Sequence, residues 1–191
     1  MKEKTLLRAV RVLLVLAMAT ATSMLAQDPR PEHLSGVIND FTPITGGTTA
    51  WEVRGPWHLA FNEEAGTANF SATLTMELSA VGQSPEDLET ATLAQHTHHI
   101  TMRDATVTYN PTNCPVAAKT TPPYVARIEI EGTASVLANG SVAPFGQYSQ
   151  LQVCIAGGTG APSAPFSNIT LVFENPAAKH FGPQAIHGFV H

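Results

Sequence analysis

From residue 33 onward, polar and apolar positions alternate with a period of two. The clearest run sets Phe70, Ala72, Leu74, Met76 and Leu78 against Ser71, Thr73, Thr75, Glu77 and Ser79. Successive side chains of a strand point to opposite faces, so this run predicts an antiparallel strand with one face on a core and one in water. Trp51, Val53, Trp57, Leu59 and Phe61 share one parity, broken at Gly55-Pro56, where a bulge or bend is expected. The turn Asn62-Glu-Glu-Ala-Gly66 joins these two segments into a hairpin. Ala126, Ile128, Ile130, Ala134 and Val136 stay in phase across Gly132 and predict one long strand bent at that glycine. Further strands follow over 151–155, 169–173 and 186–191. Helix signals are scarce: Ser84-Pro85-Glu86-Asp87 combines an N-cap, a proline at the first helical position and acids in the first turn, and predicts a short helix over 85–94. About seven to nine strands separated by Gly- and Pro-rich turns describe an all-β domain. An antiparallel β-sandwich is the first expectation, and a small lipocalin-like β-barrel the alternative.

The amino terminus departs from this pattern. Lys2, Lys4, Arg8 and Arg11 precede an apolar stretch over 12–19, and Ala19, Ala21, Ser23 and Ala26 offer small residues for a peptidase. These are the three parts of a secretory signal. Thr20, Thr22 and Ser23 cut the apolar stretch well short of the roughly 20 residues a spanning helix needs. A cleavable leader over 1–26 and a single β-rich domain over 27–191 are therefore expected, secreted or periplasmic, with no membrane span after cleavage. Loss of the leader removes four of the ten Lys/Arg and one of the fifteen Asp/Glu, leaving six against fourteen and a net charge of −8 with histidines neutral. That balance excludes nucleic acid as a partner, because such affinity comes from Lys and Arg neutralising phosphates. The expected partner is an extracellular or periplasmic ligand whose identity the sequence does not reveal.

Two cysteines in an export context imply one disulfide, Cys114 with Cys154. Cys154 has the opposite parity to Leu151, Val153 and Ile155, so the bond is expected to tie that strand to a loop rather than to fill the core.

The segment Gln95-His96-Thr97-His98-His99-Ile100-Thr101-Met102 is where chemistry concentrates. On a strand, His96 and His98 project to one face, with Ile100 and Met102, while His99 projects to the other. Two imidazoles at i and i+2 are able to ligate one ion, zinc or copper, and a buried imidazole needs such a partner or hydrogen bonds. A third ligand has to come from elsewhere: His58, His180, His187 and His191 are the candidates, with a Glu or Asp carboxylate as the alternative. The tail over 178–191 carries three of these histidines, with His187 and His191 on one side if it is extended. Phe70-Ser-Ala-Thr-Leu74 together with His96-x-His98 resembles strands of chordin-type repeat domains of bacterial secreted proteins, over too few residues to imply a function.

The chain lacks G-x-S-x-G, H-E-x-x-H, a Walker loop and a Rossmann fingerprint, and no catalytic residue is assigned. Three function classes therefore stand. The first is an exported non-catalytic binding or structural module. The second is a zinc or copper protein, with or without enzymatic activity, built on His96 and His98. The third is a barrel with an apolar pocket lined by the Trp51 to Phe61 face.

Overall fold

The computed structural model describes residues 32–43, 50–79, 95–115, 124–158, 166–182 and 184–191. The leader expected over 1–26 and the helix expected over 85–94 lie outside the described residues. Within them, strands follow in the order β1 (Glu32–Pro43), β2 (Ala50–Asn62), β3 (Thr67–Ser79), β4 (His96–Tyr109), β5 (Tyr124–Ala138), β6 (Ser141–Val142), β7 (Tyr148–Gly158), β8 (Phe166–Phe173) and β9 (Ile186–Val190). One helical turn, α1 (Ala178–Phe181), separates β8 from β9.

Each long strand pairs antiparallel with the next, β9 returns to β1, and β4 pairs with β5, so eight strands close into a barrel. The two-residue β6 is an addition on the flank of β5. The closed sheet takes the place of the two-layered sandwich expected first. An alternating strand reads alike in either architecture, because both bury one face. What separates them is whether the first and last strands find each other, and that contact is long-range.

The inward positions fill the barrel. Trp57, Leu59, Phe61, Phe70, Leu74, Met76, Ile100, Met102, Ile130, Val153 and Ile169 are all essentially inaccessible and form one cluster. Eight strands leave an interior just wide enough for side chains. The Trp57–Phe61 face is thus core packing, not the wall of an apolar cavity. A concavity of about 470 Å³ lies instead on the outer surface of β1–β4, lined by His33, Ser35, His58, Asn69, Ser71 and Arg103 among others.

Two local features correct the strand expectations. Gly55-Pro56 inserts no extra residue: the β1 ladder runs through it, while the β3 ladder skips both residues and resumes in the same register. Its glycine is needed for close approach, since a Cβ there would stand 1.9 Å from the Thr73 carbonyl oxygen. The bulge occurs in β4, where the register with β3 and with β5 shifts around Arg103-Asp104. Asp104 takes a positive φ of 50° and its N–H donates to Asn69 Oδ1. The extra residue flips parity, so His98, Ile100 and Met102 point inward before it and Ala105 and Val107 after it. Gly132 of β5 faces this bulge, with Met102 Sδ and Ala105 Cβ within 3.1 Å of where its Cβ would be.

The barrel closes through three registered pairs, Gly36↔Val190, Val37↔Phe189 and Ile38↔Gly188. A Cβ on Gly36 would lie 1.8 Å from the Phe189 carbonyl oxygen, and the buried indole N–H of Trp57 donates to that same oxygen at 3.2 Å. Beyond Ile38 the ladder stops and a side chain takes over: Asp40 Oδ2 accepts the His187 backbone N–H at 2.7 Å and lies 2.9 Å from its ring Nδ1. Gly36→Ala is expected to cost at least about 2 kcal/mol, since the clash is with backbone and not with a movable side chain. An unchanged urea midpoint would show that the seam tolerates the methyl group.

Cys114 and Cys154 form the expected disulfide, with Cα atoms 5.8 Å apart. Cys154 sits on the outer face of β7 opposite Thr170 of β8, and both are fully buried. The bond holds the segment after β4 against this outer face. Closing a loop of 40 residues stabilises the fold by about 4 kcal/mol on the chain-entropy model. Reduction is expected to lower the unfolding free energy by most of that amount in equilibrium denaturation, and no shift in midpoint would contradict it.

Candidate metal centre

The strand β4 enters the barrel at one end, and its first inward residues are His96 and His98. The register with β3 sets Met76 opposite His96 and Leu74 opposite His98, so both imidazoles replace apolar side chains in a packed interior. His98 is fully buried and His96 half-buried. His99 points outward, with its Nδ1 3.3 Å from Thr73 Oγ1.

The third histidine comes from α1. This single turn lies across the barrel end, anchored by Phe181, which is buried and stacks on Phe173 with centroids 4.2 Å apart and planes 9° from parallel. Gly182 ends the turn against Thr42 of β1, and Thr42 Oγ1 is buried without a hydrogen-bond partner. Adjacent to Phe181, His180 is carried over the β4 histidines. Its Nε2 lies 3.0 Å from His96 Nε2 and 2.9 Å from His98 Nε2. Aromatic rings wall the group: Trp51 meets His96 edge-on at 5.1 Å, Phe145 lies 5.1 Å from His180, and Phe181 lies 4.8 Å from His98.

Three ring nitrogens converging in this way cannot all be satisfied by one another. A ring nitrogen has a single in-plane site, occupied either by a proton or by a lone pair. His180 Nε2 therefore serves one neighbour well, or splits one proton between two. A second proton on the group would make one ring cationic, and the surroundings oppose that. Burial, then the neighbouring His180 and His96 rings, lower the His98 pKa to about 3; burial, then His96, lower that of His180 to about 4. Both rings stay neutral at pH 7 and present lone pairs. His98 Nδ1 is buried without a well-formed hydrogen bond, and the Leu137 carbonyl is the neighbouring group that favours a proton on this ring. A backbone carbonyl beside the far nitrogen is the usual partner of a metal-ligating histidine.

A cation fits this donor set. Around a tetrahedral ion with metal–nitrogen distances of about 2.0–2.1 Å, the nitrogens stand about 3.3 Å apart. The two contacts of His180 need open by only a few tenths of an ångström, and all three nitrogens lie within 4.8 Å of one another. Of the four sequence candidates for a third ligand, the structure brings His180 to the pair. His187 is engaged by Asp40, His58 lines the outer groove, and His191 is exposed at the chain end, its backbone N–H donating to the Ser35 carbonyl. Among the described residues, no metal-capable group includes these three. Cys114, Glu129 and Cys154 also approach one another, but the two sulfurs are bonded together. The aromatic wall from Phe145 and Phe181 carries no periodic sequence signal, because both lie in short irregular segments between strands.

Fold and site together describe a class: a closed eight-stranded antiparallel barrel with an interior histidine triad completed by a helical turn at its end. No protein-family model matches the chain, and no curated protein or solved structure is significantly similar to it.

The lowered pKa values set the sign of a pH effect. In the unfolded chain both histidines take up protons near pH 6.5, and in the folded chain only near 4 and 3. The unfolded state therefore binds more protons through this window. Metal-free protein is expected to lose stability as pH falls from about 6.5 towards 4 and to gain none above it, with a shallower dependence in His180→Ala. Equal slopes of unfolding free energy against pH in the two proteins would contradict the burial of neutral rings.

Proposed function

We propose that the protein binds one zinc or copper ion on His96, His98 and His180, and that it does so as a non-catalytic metal-binding protein of an oxidising, extracytoplasmic compartment. The convergence of three imidazole Nε2 atoms at the end of a barrel carries this reading. All-imidazole donor sets suit zinc and copper, whereas magnesium and calcium require oxygen ligands. Three protein ligands leave one coordination position for another group. His96 and His180 are half-buried, so the centre sits at the edge of the interior.

Export rests on two observations, the signal-like amino terminus and the Cys114–Cys154 disulfide, a bond that persists in oxidising compartments. The binding role is preferred to catalysis because, among the described residues, no carboxylate joins the three histidines to serve as a general base.

Protein prepared without an affinity tag of histidines is expected to carry close to one equivalent of zinc or copper by mass spectrometry. His96→Ala and His180→Ala are each expected to reduce this to a trace, and His187→Ala to leave it intact. Retention of metal in the first two variants, or its absence from the unaltered protein even after incubation with both ions, would refute the assignment.

A further inference from the structure

Resting on the histidine triad just proposed, we infer that the resident ion is copper, held as copper(I), with the thioether of Met76 as its fourth ligand. The register places Met76 of β3 directly opposite His96 of β4, and Val53 of β2 on its other side. Directly opposed residues of antiparallel strands have Cβ atoms about 4.5–5.5 Å apart. Both side chains point into the barrel, and Met76 is wholly inaccessible to solvent. A flexible thioether is thus carried at the position opposite the imidazole that opens the triad, on the same interior face. The other described methionine, Met102, lies farther along β4 against Gly132 and Ala105.

Two further features select the ion. Among the described residues the donor set holds no anionic group, so a bound ion keeps its charge among Trp51, Phe145 and Phe181. The cost of burying charge rises steeply with its magnitude, which favours a monovalent ion over a divalent one. Thioethers are soft ligands that select copper(I), while zinc takes imidazole, thiolate and carboxylate. Three imidazoles and one thioether complete a four-coordinate soft site without a negative ligand.

The test compares the unaltered protein with Met76→Leu, a substitution that keeps side-chain volume in the core. Copper(I) affinity is measured by competition with bathocuproine disulfonate under reductant, at a concentration that leaves the disulfide intact, and zinc affinity by competition with a fluorescent chelator. The expected result is a loss of at least about tenfold in copper(I) affinity, with zinc affinity within about threefold of the unaltered protein. X-ray absorption of the copper(I)-loaded unaltered protein, which does not depend on the variant folding, is expected to show one sulfur among the ligands. Equal copper affinities in the two proteins, or a nitrogen-only shell, would overturn the role of Met76. Zinc bound more tightly than copper(I) by the unaltered protein would overturn the copper assignment while leaving the triad standing. Failure to bind either ion would overturn the triad itself.

Discussion

The closure between β1 and β9 is the contact on which the molecule depends. Only three registered pairs span it, and they form because Gly36 and Gly188 let the two backbones approach and because Trp57 donates its indole proton to the Phe189 carbonyl. Without that seam the sheet would have two free edges, and its inner face would be open to water. With it, side-chain parity becomes a sentence of burial: whatever points inward must be apolar or must find a partner inside.

The β4 histidines are the consequence. His96 and His98 follow the inward parity of Ile100 and Met102, His98 fully buried and His96 half-buried at the barrel end, and among the described residues no carboxylate groups with them and His180. Burial keeps the His98 ring neutral, and α1 brings a third ring, His180, whose nitrogen is shared between the first two. One His180 nitrogen facing two others is the arrangement that the proposed cation would resolve. The same logic explains why α1 is so short: one turn suffices to place Phe181 in the barrel mouth and His180 above the pair.

Much of this is legible in the sequence, for physical reasons that also mark where legibility ends. Period-two alternation located the long strands other than β1 and put His96 and His98 on one face, because pleating makes parity a local property. The cysteine pairing was equally plain with two cysteines available, and Cys154 lies on the outer face as its parity required. Closure was not legible, since a sandwich strand and a barrel strand share one pattern and differ only in a contact between the two chain ends. The bulge at Asp104 was written as a parity change between Met102 and Ala105, while at the more conspicuous Gly55-Pro56 the β3 ladder skips two residues without a change of register. In the tail, extension drew attention to His187 and His191. The ring that reaches the pair is instead His180, on a turn too short for any periodicity to announce, while Asp40 engages His187 at the seam.

The most direct measurement of the central claim is the nitrogen-15 signature of all eight imidazoles as one equivalent of zinc is added to metal-free protein. The Nε2 resonances of His96, His98 and His180 are expected to move together to metal-bound positions and to saturate at one equivalent, with His33, His58, His99, His187 and His191 unmoved. A response distributed over the exposed histidines, or none in the three interior rings, would contradict the account.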